Sequence, residues 1–322
     1  MNSRKLDNTD VRVSEVGLGT WQIGGSWGEV PEDEALQILR AAHESGVTMF
    51  DTANVYGGGK SEKLIGRFLK ESGAKPFVAT KLGRGGEKLT LDGLRGATEK
   101  SLSNLGVEAL DLTQLHCIPT EDLRRGEVFE HLRALQSQGK IKRFGASVES
   151  MEEAHICLQQ DGLSSLQIIF NVFRQKPIDD LFEAAKSKNV GLIIRLPLAS
   201  GLLAGKMTKQ TEFGEKDHRN FNRDGDSFNV GETFAGLPFE KGVELANELK
   251  PFVPENMTMA QWAQRWILDY DAVTTIITGA SKVSQVESNV GAAALAPLGA
   301  EVHDKLSAWY KSNVAEYIRG PY

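Results

Sequence analysis

TMFDTANVYGGGKSEKLIGRFLKESGAKPFVATK, residues 48–81, holds one complete strand–helix–strand unit. TMFD (48–51) is a short apolar strand that ends on a carboxylate, Asp51. SEKLIGRFLKESG (61–73) reads as a helix with Ser61 at its N-cap, and FVATK (77–81) as the next strand, ending on Lys81. Between strand and helix stands an isolated tyrosine, Tyr56, followed by three glycines. A strand buried on both faces has no packing reason to end on a charge.

The same alternation runs along the chain in both directions. VSEVGLGT (13–20) reads as a strand, and EDEALQILRAAHESG (32–46) as an amphipathic helix stopped by Gly46. Further strands are expected at LDLTQLH (110–116), KRFGAS (142–147), SLQIIFN (165–171), GLIIRLPL (191–198) and AVTTIITG (272–279). Helices are expected at 91–106, near 127–138, at 151–160, and near 179–188, 241–249, 259–268 and 283–294. A polar stretch spans roughly 205–240, and a last helix covers about 301–317. The strands are short, mostly apolar and rich in Ile, Val, Leu and Phe, which suits parallel strands covered on both faces. Eight such units predict an α/β protein, a (β/α)8 TIM barrel in one domain over 1–322, with an extra C-terminal helix. RKLDNTDVRV, with Asn8 and Asp10 between two alternating arms, predicts an N-terminal β-hairpin closing the barrel floor. A dinucleotide-binding doubly wound sheet is the rival fold. Its third fingerprint glycine is missing: Gly17-Leu18-Gly19-Thr20-Trp21 is followed by Gln22.

Composition narrows the function. The 322 residues carry 37 Lys+Arg against 43 Asp+Glu, a net charge of −6. That balance speaks against nucleic acid or an anionic membrane as the main partner. No apolar run approaches the ~18 residues of a membrane helix, the N-terminus lacks an apolar signal core, and a cytoplasmic location is expected. Two cysteines, Cys117 and Cys157, exclude a disulfide scaffold and a cysteine zinc site, and both read as buried small hydrophobes.

In a barrel the chemistry sits where the strands end. Asp51, Lys81 and His116 end successive strands, and Tyr56 follows the first of them. Singly, each has a structural reading as a cap, a surface charge or a packed ring; together they form one constellation. A free phenol titrates near 10, and an adjacent ammonium is expected to lower that value. Asp51 is the counter-ion Lys81 needs. His116 and Tyr56 then present two donors to one carbonyl oxygen, and the carbon requires a hydride source.

The stretches GLGTWQ (17–22), FDTANVYGGGKSE (50–62), VATK (78–81), LDLTQLH (110–116), KIKRFGAS (140–147), PLASGLLAGK (197–206) and ITGASKVSQVESN (277–289) resemble the aldo-keto reductases, in that family's order and over nearly the whole chain. The resemblance implies a (β/α)8 barrel and NAD(P)H-dependent reduction of aldehydes or ketones. It carries the catalytic set onto Asp51, Tyr56, Lys81 and His116, with Tyr56 as general acid. For the cofactor it implies Gly19, Thr20, Trp21 and Asp51 on the first two strands' ends, and Ser147 and Gln167 at the nicotinamide carboxamide. Val148 stands where the family has Asn, with Asn171 as a substitute donor. Arg195 occupies the place of a tyrosine that stacks on the nicotinamide, where its charge favours the neutral reduced ring. Pro197, Leu198, Ser200, Gly201, Leu203 and Lys206 are expected to form the pyrophosphate loop, against a plain βα turn. Arg219 or Arg223 in KDHRNFNRDG (216–225) is placed near a phosphate, against a plain solvated loop. Gly279, Ser281, Lys282, Gln285 and Asn289 complete the adenosine end. The expected cofactor is NADP, with NAD as the alternative, and no metal.

Trp21 and Trp27 are expected to line the substrate pocket, against simple aromatic packing. His43, His131, His155, His218 and His303 receive no role. The substrate is a small carbonyl or hydroxyl compound. Two other readings stay open: an NAD(P)-dependent sugar or polyol dehydrogenase, and a cofactor-binding regulatory subunit.

Overall fold

The computed structural model describes every residue except Asn8, Ser26 and Glu29. Among the described residues ten strands form two sheets. β1 (Ser3–Lys5) and β2 (Arg12–Ser14) make an antiparallel hairpin. β3 (Val16–Gly19), β4 (Met49–Asp51), β5 (Phe77–Leu82), β6 (Leu112–His116), β7 (Phe144–Ser147), β8 (Leu163–Ile169), β9 (Gly191–Arg195) and β10 (Val273–Gly279) close a parallel barrel, β10 pairing with both β3 and β9. This is the expected (β/α)8 barrel with its N-terminal hairpin; Asn8, placed between the hairpin arms, lies outside the described residues. The extra C-terminal helix spans Ala300–Asn313, and its forecast last turn is a separate 3-10 turn at Ala315–Tyr317.

Two local expectations change. The run 13–20 is two strands rather than one: Val13 and Ser14 belong to the hairpin and Val16–Gly19 to the barrel. Between them Glu15 is buried and meets Arg4 at 3.3 Å, a polar anchor at the bend. Ser61 is not an N-cap. The helix starts at Lys60 after a left-handed Gly59, and the Ser61 hydroxyl lies inside, donating to Thr20 Oγ1 at 2.7 Å and pairing with Thr52 Oγ1 at 2.8 Å.

Outward strand residues such as Leu18, Phe50, Leu166 and Ile194 join the helices in one core. The inward residues split by height. At the floor Leu6 and Val13 from the hairpin pack against Met49, Ala79, Leu112, Ile193 and Ile277. A Cβ on Gly191 would lie 2.0 Å from the Leu6 carbonyl oxygen, so only glycine lets the hairpin plug seat here. Above the floor the inward positions turn polar. Register sets Lys81 opposite Gln114, and His116 opposite Ser147, which is opposite Gln167. With a two-residue side-chain period, Gln114 and His116 then share the inner face. The polar rim is thus a product of strand register. No helix among the described residues is long and apolar enough to cross a membrane.

Candidate active site

The rim opens into a cleft of about 580 Å³, within the range of small-molecule sites. Asp51, Tyr56 and His116 line it, and Lys81 stands directly behind Tyr56. Lys81 is 1% exposed, as is Asp51. Its ammonium pairs with Asp51 Oδ1 and donates to Thr52 O at 2.8 Å and to the Tyr56 hydroxyl at 3.3 Å. Burial opposes that charge, yet Asp51 and Tyr56 outweigh it and hold the lysine above its ordinary pKa. The other Asp51 oxygen accepts from Gln167 Nε2 at 2.8 Å and from Gln114 Nε2 at 3.3 Å. The buried pair is therefore hydrogen-bonded on its remaining lone pairs, the condition for a buried ion pair to persist.

The phenol departs from expectation. Burial pushes the Tyr56 pKa up, and the opposing pull of Lys81 does not cancel it. Tyr56 is a neutral donor rather than an acidified one. His116 is driven well below the ordinary histidine range by burial and then by Lys81, Arg84 and Arg195. It is a neutral imidazole packed edge-on to Tyr56, with centroids 5.9 Å apart, and its Nδ1 has no partner. Trp21 stacks on Tyr56 at 5.9 Å and meets Trp27 edge-on at 5.6 Å, and both indoles line the cleft.

The residues assigned to the cofactor divide into two groups. Gly19, Thr20, Ser147, Gln167, Arg195, Pro197, Leu198, Ser200, Gly201, Lys206, Arg219, Gly279, Ser281 and Gln285 all face the same cleft as Tyr56. Others turn away. Leu203 is fully buried in the hydrophobic core because its 3-10 turn packs inward. Asn289 accepts from Gln264 and donates to Gly279 O, so its amide braces the end of β10. Lys282 is exposed at the N-cap of the helix Val283–Gly291 and does not line the cleft. Asn171 cannot replace the missing Asn: it donates to Leu196 O and accepts from Phe173 N. Arg219 closes on Asp217 through two hydrogen bonds, at 2.9 and 2.6 Å, and Arg223 lies over the Phe239 ring instead.

Several neighbours were not singled out in the sequence. Gln114 was legible, standing two residues before His116 on the same strand face. Glu232, Arg84 and Glu149 were not, since they lie in loops without periodicity. Arg84 Nη1 meets Glu232 Oε1 at 2.9 Å, and Arg195 Nη1 lies 3.5 Å from the same oxygen. His218, given no role, packs fully buried against Trp21, Trp27 and Phe228.

The cleft fits an extended dinucleotide. Arg195 Nε is buried without a partner, and Gln167, with Nε2 spent on Asp51, keeps Oε1 for a ligand. Ala199, Ser200 and Gly201 are successive left-handed residues, with φ of 47°, 55° and 98°. Such a run is strained for the first two and curls the loop into a concavity at the cleft wall.

The "Aldo/keto reductase family" model matches residues 15–311. Aldo-keto reductase YhdN from Bacillus subtilis is 30% identical over 89% of this chain and 87% of its own length. Two solved structures share the fold over nearly the full length of both chains. Aldo-keto reductase AKR11C1 from Bacillus halodurans, in its holo form, has a TM-score of 0.79 and 25% identity, with 98% of each chain covered. Glycerol dehydrogenase AKR11B4 from Gluconobacter oxydans has a TM-score of 0.78 and 30% identity, covering 99% of this chain and 97% of its own. The chain belongs to the aldo/keto reductase family and is an NAD(P)(H)-dependent oxidoreductase acting on carbonyl and alcohol groups.

Proposed function

We propose that this chain works as a reductase of small aldehydes or ketones, that Tyr56 delivers the proton, and that NADPH is preferred to NADH. The observation that carries this reading is the state of Tyr56: a phenol held protonated, 3.3 Å from the Lys81 ammonium and beside a neutral imidazole at the base of the cleft. A proton donor serves reduction, whereas oxidation of an alcohol needs a phenolate base. A reduced nicotinamide bound in the cleft would supply the hydride for the carbonyl carbon. Tyr56 O–H and the His116 N–H hydrogen-bond to the carbonyl oxygen and stabilise the charge that develops there. As the phenol gives up its proton, Lys81 stabilises the phenolate, and Asp51 keeps Lys81 charged and in place. Ser147 and Gln167 would hold the carboxamide, and Pro197, Leu198, Ser200 and Gly201 with Lys206 would take the diphosphate; these residues line the cleft. Arg219 contributes less, because Asp217 already occupies its fork.

Ser281, which lines the cleft, and Lys282, exposed next to it, support the NADPH preference. They open the helix Val283–Gly291, whose N-terminus favours an anion. Trp21 and Trp27 border the substrate. The name of AKR11B4 favours a second reading, oxidation of a polyol. A cytoplasmic setting belongs to the same proposal, and Cys117 and Cys157 are both free thiols.

Steady-state oxidation of NADPH and of NADH with a panel of aldehydes and ketones tests this, run beside glycerol and sugar oxidation. NADPH is expected to give kcat/KM roughly tenfold above NADH, about 1.4 kcal/mol. The double variant Ser281→Ala, Lys282→Met should erase that ratio. Turnover confined to polyols would put the dehydrogenase reading first.

A further inference from the structure

A second charge cluster, apart from the Asp51–Lys81 pair, reaches the cleft. Arg195 ends β9. Its Nη2 donates to Val148 O at 3.1 Å and its Nη1 lies 3.5 Å from Glu232 Oε1. The same Glu232 oxygen accepts from Arg84 Nη1 at 2.9 Å. Glu149 hydrogen-bonds to Glu232, and their oxygens lie with Cys117 Sγ inside 4.8 Å. Burial, and then the charge of Glu232, push the Glu149 pKa up, whereas Arg195 and Arg84 overcome the burial of Glu232 and keep it ionised. Two guanidiniums thus face two neighbouring carboxyl groups, of which Glu232 is held ionised. The two guanidiniums already engaged there make the cluster a poor cation site. Of these groups, Arg195 and Glu232 line the cleft, on the wall that also presents Ser147 and Gln167.

We infer that Glu232, through its ion pairs with Arg195 and Arg84, sets how strongly the cleft favours the reduced over the oxidised nicotinamide. The inference rests on the proposed cofactor site. The oxidised ring carries a positive charge and the reduced ring carries none; the rest of the dinucleotide is the same in both. Interactions with the phosphates therefore cancel in the ratio of the two affinities, and the charge of this wall does not. Arg195 penalises the oxidised ring, and Glu232 offsets part of that penalty. Charges in a site closed to solvent are weakly screened, so the effect is large enough to measure. A strongly one-sided site would trap one form, and a partly compensated one lets both exchange.

The test is binding without turnover: titration of purified protein with NADP⁺ and separately with NADPH, read by quenching of the fluorescence of the cleft tryptophans. Glu232→Gln should raise the ratio Kd(NADP⁺)/Kd(NADPH) by roughly tenfold. Arg195→Gln should lower it by a similar factor. Glu149→Gln, at a carboxyl that does not line the cleft, should move the ratio much less than Glu232→Gln does. A merely structural role would weaken both forms alike and leave every ratio unchanged, which would overturn the inference. If Glu232→Gln fails to fold, Arg195→Gln carries the test through its opposite sign. Wild-type protein that bound neither form would instead overturn the cofactor site itself.

Discussion

Burial sets the charge state of the site's residues one at a time. Lys81 keeps its charge because three oxygens surround it, from Asp51, Thr52 and Tyr56. Tyr56 stays neutral because burial outweighs the adjacent Lys81 charge, and His116 because burial and the surrounding cations both oppose its protonation. His218 is the extreme case: fully buried, with neither ring nitrogen paired, and lowered to about 4 chiefly by burial, despite Asp217 at 3.6 Å. The unfolded chain takes up that proton first, so the stabilisation is whole above the ordinary histidine value of 6.5 and is lost as pH falls towards 4. The loss amounts to about 3 kcal/mol for this one group. Denaturant unfolding at pH 7 and pH 4.5 should show the drop in wild type and a smaller one in His218→Phe; equal drops would contradict it. In the sequence Asp51, Tyr56, Lys81 and His116 were legible because each sits at or just after a strand end. Their protonation was only half legible. The presence of the Lys81 charge could be read, but the burial that outweighs it at Tyr56 depends on chain segments far apart. Asn171 and Asn289 show the same limit, since each amide has a partner far along the chain, Leu196 O for the first and Gln264 for the second.

Strands and helices were read from period and punctuation, and they are where the sequence is most transparent. What escaped were the joints. The bend at Glu15 divides one apolar run into a hairpin arm and a barrel strand, because Arg4 reaches back to pair with it. The short helix Thr120–Arg125 is too brief to show a period. The hairpin itself meets the barrel at one tight point, the start of β9. Gly191→Ala would drive a Cβ into the Leu6 carbonyl, a backbone atom with little room to move. The hairpin should lift from the floor, with a loss of about 1–3 kcal/mol read as a lower denaturation midpoint and faster proteolysis before residue 15. An unchanged midpoint would show that the plug is not seated as described. Cofactor affinity should persist, since the cleft lies at the opposite end of the strands.

At the scale of the molecule, a closed barrel presents a preformed rim, and the segment 205–240 folds across it. Met207, Thr211, Phe213, Arg219 and Glu232 from that segment line the cleft opposite the barrel residues. It carries no periodic pattern, and its packing was the least legible part of the chain. Ligand at 100 times its Kd stabilises the bound form by about 2.7 kcal/mol. Limited proteolysis should therefore cut within 205–240 in free protein and slow markedly with NADPH; equal rates would mean that the segment is indifferent to the cofactor. The central claim is that Tyr56 supplies the proton to a carbonyl reduced in this cleft. Its most direct test is Tyr56→Phe, which removes one oxygen and leaves the stacked ring of Trp21 in place, assayed for both NADPH binding and aldehyde reduction. The account predicts cofactor binding within a few-fold of wild type and a kcat lower by about 10²–10⁴-fold. A variant that binds cofactor and reduces aldehydes at the wild-type rate would contradict it.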